Sequence, residues 1–322
     1  MRKRKNKNIV IVYSLYSLLI YFLHIKDIEN IKKSFYFFAG ISKKVADNFN
    51  HYYFNQKKCH DFIYYFYLRL VTIVKWRFVR NGEIYAQDHL HYSPGIIGKK
   101  DYILIEDGLS NYKFGNIEGT SEKKQIKLGL LSKIMKYIGN DLVVGYTFGR
   151  SKQIKKMLLT QKVKNPKAIE INLQEKWKEA TDEKRKFILS IFGLDHKKIA
   201  FLKSKKILIL TQPLSEDGHI PTEEEKVAIY RSIIKKEGEE NVIIKCHPRE
   251  KTDYSHFFPN AVIFKDAIPA ELFNLLDINY QKIYTISSTA ALNFKSKNTE
   301  IIQIEYSEDI IGYREFKSLI KK

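Results

Sequence analysis

Five short apolar runs recur through the second half of the sequence and constrain the fold more than any other feature. They are Lys206–Thr211, Val242–Ile244, Ala261–Phe264, Lys282–Ile286 and Glu300–Ile304. Each run is rich in β-branched residues, which is typical of buried strands. Helical segments lie between the runs, one of them capped by Thr222 and another opened by Pro269. This alternation predicts a parallel, doubly wound α/β sheet.

The first half of the sequence predicts a second α/β domain with less regular spacing. Ile9–Tyr13 is predicted as a strand and Leu15–His24 as a helix, which together make a first β-α unit. Further strands are predicted at Ser34–Ala39, Tyr102–Ile105 and Leu142–Gly145. The basic and aromatic stretch Val45–Arg80 is expected to be largely helical, either as an ordinary core helix or in contact with a membrane or an acceptor.

The length of the chain favours two domains. It has 322 residues, which is too many for one ordinary core and suits two domains of about 150 residues each. A lysine-rich change in composition at 197–206 places the boundary near residue 200. We therefore expect domains at residues 1–200 and 201–306, and a C-terminal helix within 307–322 that packs back across the first domain.

Ser121–Gly139 is predicted as an amphipathic helix, because its apolar residues recur at helical spacing and lysines fill the other positions. Such a helix suits an anionic membrane surface or a partner subunit. Core packing with a solvated lysine face is the alternative.

The charge of the chain favours polyanionic partners. The net charge is +20, from 56 Lys and Arg residues against 36 Asp and Glu residues. Nucleotide phosphates, nucleic acid and an anionic membrane surface all suit such an excess. The lysines are scattered and no recognised nucleic-acid module appears, so a nucleic-acid-binding protein is only a distant alternative.

Two features bear on the compartment. Cys59 and Cys246 form neither a disulfide framework nor a zinc-ligand pattern, which indicates a reducing, cytoplasmic setting. The apolar stretch Ile9–Ile25 falls short of the roughly 20 residues that span a bilayer. The β-α unit is therefore the favoured prediction for this stretch, and a membrane anchor is the alternative.

Polar residues cluster where the predicted strands of the second domain end, which is the edge at which open α/β sheets bind ligands. The groups are Ser215–Gly218, Lys245–Arg249, Glu271 and Ser287–Thr289. His247 can hydrogen-bond or protonate a phosphate oxygen, and the hydroxyl and N–H groups of Ser287–Thr289 can form an anion site. Glu271 can accept hydrogen bonds from ribose hydroxyls. Together these groups predict a nucleotide-phosphate site.

A base for an incoming hydroxyl has two candidates. Asp107 lies in Glu106–Gly108, where the acidic residues serve a cleft or form a plain turn. Asp217 lies in the loop after Lys206–Thr211, and either carboxylate could deprotonate a hydroxyl. The sequence has no Asp-x-Asp triplet and no cluster at metal-ligand spacing. We therefore expect the phosphate charge to be met by His247, hydroxyls and helix dipoles without a metal ion.

Five motifs, taken in order, resemble those of bacterial sialyltransferases, and the set is most similar to glycosyltransferase family 52. They are Glu-Asp-Gly at 106–108, Gln-Pro-Leu-Ser-Glu-Asp-Gly at 212–218, Lys-x-His-Pro-Arg-Glu at 245–250, Ile-Pro-Ala-Glu-Leu at 268–272 and Ser-Ser-Thr-Ala at 287–290. The resemblance implies a GT-B fold, with two Rossmann-like domains whose parallel sheets face a central cleft. It implies that the first domain binds the acceptor and the second a CMP-sugar.

The resemblance also implies a reaction and its residues. It implies an inverting, metal-independent enzyme without a cofactor that moves sialic acid from CMP-sialic acid to a terminal galactose of a capsule or lipooligosaccharide. His247 would bind the phosphate and act as general acid, with Ser287 and Ser288 on the phosphate and Glu271 on the ribose. Asp217 is the favoured base and Asp107 the alternative. Further residues expected at the substrate site are Gln212, Pro213, Glu216, Gly218, Lys245, Pro248, Arg249, Thr289, Glu106 and Gly108.

The resemblance further implies peripheral contact with the inner face of the plasma membrane and a homodimer. Two other enzymes remain alternatives, a CDP-glycerol-type glycerophosphotransferase and a transferase of another CMP-activated ulosonic acid. The segments at 212–218 and 268–272 argue against the first of them.

Overall fold

The computed structural model describes residues 7–54, 61–114, 117, 133–134, 136–137, 139–247, 249–265, 268–288, 290–291, 294, 298–306 and 317. Two compact units divide the chain, Met1–Ile191 and Phe192–Lys322. The helix His196–Lys203, which contains the boundary predicted near residue 200, belongs to the second unit.

In the described part of the first unit, seven parallel strands form one sheet. They are β1 (Ile9–Val12), β2 (Phe35–Phe38), β3 (Asn50–Tyr53), β4 (Ile84–Ala86), β5 (Tyr102–Ile105), β6 (Ile154–Leu159) and β7 (Ala168–Glu170). The strand order is β3-β2-β1-β4-β5-β6-β7. The chain therefore builds the sheet outward from β1 in one direction and then from β4 in the other, which places a topological switch point between β1 and β4.

The helices described in this unit are Leu15–His24, Ile28–Lys33, Lys43–Ala46, Asp61–Val74, Ser93–Ile97, Leu109–Phe114, Leu173–Glu179 and Asp182–Ile191. Short 3-10 helices span Arg77–Asn81 and Asp141–Val144.

The predicted β-α unit at the start of the chain is confirmed. Strand β1 is buried throughout, and the Ser14 hydroxyl oxygen accepts the Ser17 N–H at 3.2 Å to cap the following helix. The helix is buried from Ser17 to Leu23. At its other end, the buried Lys184 ammonium donates to the carbonyl oxygens of Leu23 and Ile25, at 3.3 and 2.7 Å. This apolar stretch is thus part of a folded domain.

One prediction for the first half holds in part and another is wrong. In Val45–Arg80, the helix Asp61–Val74 and the 3-10 helix from Arg77 agree with the prediction, but β3 interrupts the stretch with alternately exposed and half-buried residues, as suits an edge strand. Leu142–Gly145 is not a strand. The Asn140 side chain caps a 3-10 helix there by accepting the Val143 N–H at 3.2 Å, and Gly145 ends it with a φ of 86°.

In the described part of the second unit, five parallel strands form a sheet in the order β10-β9-β8-β11-β12. They are β8 (Ile207–Leu210), β9 (Val242–Lys245), β10 (Val262–Phe264), β11 (Lys282–Thr285) and β12 (Glu300–Gln303). The helices are His196–Lys203, Glu223–Glu237, Tyr254–Phe257 and Glu271–Leu275, with a 3-10 helix at Glu239–Asn241. The predicted α/β class with parallel sheets is confirmed. The direction of winding changes at β8, which lies between β9 and β11.

Local sequence explains the main helix of the second unit. The Thr222 hydroxyl oxygen accepts the Glu225 N–H at 3.2 Å, as predicted, and the helix packs Val227, Tyr230 and Ile234 onto the sheet. The predicted C-terminal helix and most of the amphipathic helix Ser121–Gly139 lie outside the described residues. No helix in the described part of the chain combines the length and apolar character that a membrane crossing requires.

Candidate active site

The carboxyl ends of three neighbouring strands form the candidate donor site in the second unit. Leu210 at the end of β8 is paired in register with Lys245 of β9 on one side and with Thr285 of β11 on the other. The loops that follow these strands therefore leave the sheet at one edge, around the change in winding direction. This is the edge at which such sheets bind ligands.

Two of the predicted binding residues meet across this edge. The Ser287 hydroxyl donates to Gln212 Oε1 at 2.9 Å, and the Gln212 N–H donates to the Tyr230 hydroxyl at 3.2 Å. The Ser288 N–H donates to the Thr285 hydroxyl oxygen at 3.0 Å. The loop after β8 and the serine loop after β11 are thus fixed to each other by a direct side-chain hydrogen bond.

The contacts of His247 define the protonation of its ring. Its Nδ1 accepts the Arg249 N–H at 3.2 Å, so the proton of the neutral ring is on Nε2. Burial, reinforced by the nearby Arg249 and Lys245 charges and opposed by Asp217 and Glu216, lowers the pKa of His247 to about 4. The free protein therefore holds a neutral imidazole whose Nε2–H can donate to an oxygen.

Glu250 fixes the backbone of this histidine. Its Oε2 accepts the His247 N–H at 2.7 Å and also the Thr211 hydroxyl, while its Oε1 accepts the Tyr254 hydroxyl at 2.8 Å. The fully buried ammonium of Lys226 lies 3.8 Å from the same Oε1. Burial raises the pKa of Glu250, whereas these donors lower it. The side chain thus joins the ends of β8 and β9 beneath His247.

Lys226 also holds Glu216, a predicted substrate-binding residue. The ammonium donates to both Glu216 carboxylate oxygens, at 3.0 and 2.8 Å, and the Lys251 N–H donates to Oε1 at 2.7 Å. Burial alone would raise the pKa of Glu216, but these hydrogen bonds outweigh it and hold the pKa at about 2. One buried cation therefore connects the loop after β8 to the loop after β9.

Asp217 and Arg249 form a bidentate ion pair. Arg249 Nη2 lies 3.0 Å from Asp217 Oδ2, and Nη1 contacts Oδ1. Both carboxylate oxygens of the favoured base are thus bound by one guanidinium. Asp217 stands in a tight turn in which its N–H donates to the Pro213 carbonyl oxygen at 2.8 Å and Gly218 adopts a φ of 76°.

The other predicted residues of this unit lie nearby or outside the described part of the chain. Lys245 is buried, and its ammonium donates to the Cys246 carbonyl oxygen at 3.1 Å. Burial raises the pKa of the Cys246 thiol to about 12, so it stays protonated. Glu271 is buried at the first position of the helix Glu271–Leu275. Pro248 and Thr289 lie outside the described residues.

The first unit has a second cluster at the carboxyl edge of its own sheet. Asp107 follows β5, and Gln87 and His89 follow the neighbouring β4. Gln87 Nε2 donates to Asp107 Oδ1, and His89 Nε2 lies 3.2 Å from Oδ2. The Asp107 N–H donates to Asn111 Oδ1 at 2.6 Å. Gln87 is fully buried, and its Oε1 accepts the Ser14 N–H at 3.4 Å. The cluster therefore lies at the switch point of this sheet.

Burial sets the protonation of this cluster. Burial raises the pKa of Asp107, the Gln87 hydrogen bond lowers it and the nearby Glu106 charge raises it again. The resulting pKa is about 7. Burial also lowers the pKa of His89 to about 4, so the ring is neutral. The ring stacks on Phe148 with centroids 4.4 Å apart and an interplanar angle of 11°. Asp107 thus exchanges its proton near neutral pH beside a fixed imidazole.

The two neighbours of Asp107 have structural contacts. Glu106 is buried and accepts the hydroxyls of Tyr16 and Tyr112, at 2.9 and 2.7 Å, and that of Thr160. Gly108 adopts a φ of 72°, in the left-handed region that favours glycine. Asp107 differs from both neighbours, because its carboxyl has a pKa raised to about 7 and its side chain is 23% exposed.

Sequence reasoning missed four residues of these clusters, Gln87, His89, Lys226 and Glu250. Gln87 and His89 follow a three-residue strand that was not predicted. Glu250 is the last residue of the Lys-x-His-Pro-Arg-Glu motif, and its distance of three positions from His247 was the available signal. Among the described residues, no group of three His, Cys, Asp or Glu side chains is arranged to hold a metal ion.

The two parallel α/β units, each with a polar cluster at the carboxyl edge of its sheet, have the GT-B fold. The sequence matches glycosyltransferase family 52 over residues 19–307, and the chain belongs to that family. An uncharacterized protein of Haemophilus influenzae is 36% identical over 222 residues, which are 67% of each chain.

Two solved structures share the fold. One is the 2,6-sialyltransferase of Photobacterium sp. JT-ISH-224 in a ternary complex with CMP and lactose, with a TM-score of 0.60, 13% identity and coverage of 98% of this chain and 75% of that one. The other is the GT-B domain of the sialyltransferase from Photobacterium damselae, with a TM-score of 0.57, 12% identity and coverage of 97% and 95%.

Proposed function

We propose that this glycosyltransferase is an inverting, metal-independent sialyltransferase that moves sialic acid from CMP-sialic acid to a terminal galactose of a bacterial surface glycan. The observation that carries the proposal is His247, a neutral imidazole with its Nε2–H available, at the strand edge where the Gln212 and Ser287 loops meet. Family membership supports the class of reaction. The fold shared with a sialyltransferase that binds CMP and lactose supports the choice of substrates.

The donor phosphate is proposed to bind His247, Ser287 and Ser288. Nε2–H of His247 donates to a phosphate oxygen, and the negative charge of the phosphate raises the histidine pKa from its low value in the free protein. The protonated ring then supplies a proton to the phosphate oxygen as the bond between that oxygen and the anomeric carbon of sialic acid breaks. CMP leaves with this proton. Glu271 is proposed to accept hydrogen bonds from the ribose hydroxyls.

The contacts favour Asp107 as the base, in place of Asp217, which the sequence favoured. A base that works near neutral pH needs a pKa close to that pH and an oxygen that is available to a substrate. Asp107 has a pKa of about 7, whereas both oxygens of Asp217 are bound by Arg249. Asp107 is proposed to take the proton from the acceptor hydroxyl as its oxygen attacks the anomeric carbon. Asp217 is proposed to orient Arg249.

The direct attack gives inversion at the anomeric carbon, because the hydroxyl enters opposite the departing phosphate. The galactose linkage, the capsule or lipooligosaccharide context, the homodimer and the membrane contact remain predictions.

The proposal is tested by the release of CMP from CMP-sialic acid in EDTA, with and without lactose. We expect lactose to stimulate the release and His247→Ala to reduce it by about a hundredfold or more. The exposed His196 at the start of the helix His196–Lys203 offers a matched control, and His196→Ala should retain full activity. Consumption of CDP-glycerol with no release from CMP-sialic acid would replace the proposal with the phosphotransferase alternative.

A further inference from the structure

The helix Asp61–Val74 exposes a continuous apolar strip, which we name the apolar stripe. Its six members and their exposed fractions are Ile63 73%, Phe66 47%, Tyr67 57%, Leu70 63%, Ile73 41% and Val74 67%. Residues three and four positions apart share a helical face, so the stripe covers an arc of about 120°. At 1.5 Å per residue it is about 17 Å long. An apolar surface of this size on one helix marks an interaction site.

The opposite face of the same helix is held firmly in the first unit. Tyr65, Leu68 and Thr72 are buried, with exposed fractions of 5%, 1% and 3%. A Cβ at Gly95 would lie 2.5 Å from Leu68 Cβ, so the helix Ser93–Ile97 approaches closely through this glycine. Arg69 Nη1 donates to the Gly95 carbonyl oxygen at 3.1 Å. The helix therefore presents the stripe outward and cannot bury it by turning.

The helix begins at Asp61, and the charged residues that follow it as far as Gly82 are all basic. Lys75, Arg77 and Arg80 follow the stripe and are exposed, and no acidic residue occurs from Phe62 to Gly82. Lys57 and Lys58 precede the helix in the sequence, and the whole chain has a net charge of +20. Such a surface complements an anionic one, and each basic residue near an anionic bilayer contributes about 1 kcal/mol to binding.

We propose that the apolar stripe docks this protein onto the surface of an anionic lipid bilayer. An exposed apolar face with aromatic residues, followed by basic residues, is the pattern of a helix that lies in the membrane interface. Phe66 and Tyr67 suit the boundary between headgroups and acyl chains. The helix has 14 residues, fewer than the roughly 20 that span a bilayer. The inference is independent of the donor and the acceptor, so it stands or falls separately from the proposed reaction.

The test is flotation of the full chain with phosphatidylcholine vesicles that contain about 30% phosphatidylglycerol, compared with pure phosphatidylcholine vesicles. We expect binding to the anionic vesicles only, and weaker binding as salt rises. Phe66→Glu combined with Leu70→Glu should reduce the partition coefficient by about tenfold or more. Phe201 is 52% exposed in the second unit, and Phe201→Glu is the matched control that should bind normally.

A second variant tests the basic residues separately. Lys75→Gln combined with Arg77→Gln and Arg80→Gln leaves the stripe intact, and we expect weaker binding with a flatter salt dependence. Equal binding to both kinds of vesicle would overturn the proposal, as would unchanged binding by the Phe66→Glu/Leu70→Glu variant. A wild-type dimer in light scattering that becomes a monomer in this variant would also overturn it, because a second copy would then cover the stripe.

Discussion

Replacing Asp107 with Asn should stabilise the protein at alkaline pH while reducing its activity. Burial raises the pKa of this carboxyl from 3.8 to about 7. The folded protein therefore binds more protons than the unfolded chain between these two pH values, and its stability falls as pH rises through that window. Above it, folding keeps a charged carboxylate in a site that favours the neutral acid. The neutral amide of Asp107→Asn removes this cost.

The magnitude follows from the pKa difference. A tenfold change in proton affinity corresponds to about 1.4 kcal/mol, so the shift from 3.8 to about 7 corresponds to roughly 4 kcal/mol at most. Water reaches the 23% of the side chain that is exposed, and we therefore expect about 2 kcal/mol. An Asn carbonyl oxygen can still accept from Gln87 Nε2, and its amide can donate to a neutral His89.

The assay is urea unfolding of wild type and variant at about pH 5 and about pH 8.5. The stability gained by the variant should be larger at the higher pH, and its turnover should fall about a hundredfold or more if Asp107 is the base. Asp88→Asn is the contrasting control. Burial also raises the pKa of Asp88 to about 6, but this carboxylate accepts the N–H groups of Phe148 and Gly149 and the Tyr102 hydroxyl. The amide of Asp88→Asn would face these donors, so this variant should be less stable than wild type at both pH values. An Asp107→Asn effect that does not change with pH would refute the reasoning.

Two further predictions concern the donor site. Because the pKa of His247 is about 4 in the free protein, binding of CMP at about pH 5.5 should be accompanied by proton uptake. Calorimetry in two buffers of different ionisation enthalpy measures this uptake. Proton uptake that persists in His247→Gln would contradict the prediction. Glu250→Gln should lower the free energy of unfolding by about 1–3 kcal/mol and lower kcat more than it raises KM, because the amide meets donors from Thr211 or Tyr254. Denaturation and steady-state kinetics check this, and normal kcat would show that Glu250 does not position His247.

Most of the strands that the sequence predicted are buried, and the two predicted edge strands, β10 and β12, are only partly buried but are also apolar in sequence. Ile9–Val12 and Val242–Lys245 are buried at every position, and central parallel strands of this kind read as continuous apolar runs. Helix starts were predictable for a different reason. Thr222 accepts a backbone N–H as predicted, and Ser14 does the same at the predicted start of the helix Leu15–His24. Such caps depend on local sequence alone.

The strands that were missed lack this signal. β3 and β7 lie at the two edges of the first sheet and are only partly buried. β6 has two exposed lysines inside it, and β4 has only three residues. Missing β4 also concealed Gln87 and His89, whose meeting with Asp107 depends on strand pairing and not on distance along the sequence. The pairing of Asp217 with Arg249 was hidden for the same reason, since 32 positions separate them.

The position of Lys226 limits how the loops of this enzyme can be exchanged. Its one ammonium donates to Glu216 in the first loop of the candidate donor site and faces Glu250 in the second loop. The two loops therefore have to be replaced together. A loop graft intended to change the sugar donor must bring along both acidic residues and the lysine from the helix Glu223–Glu237. A graft of either loop alone removes one of the two carboxylates that the buried Lys226 ammonium faces, and we expect such a chimera to be less stable than wild type.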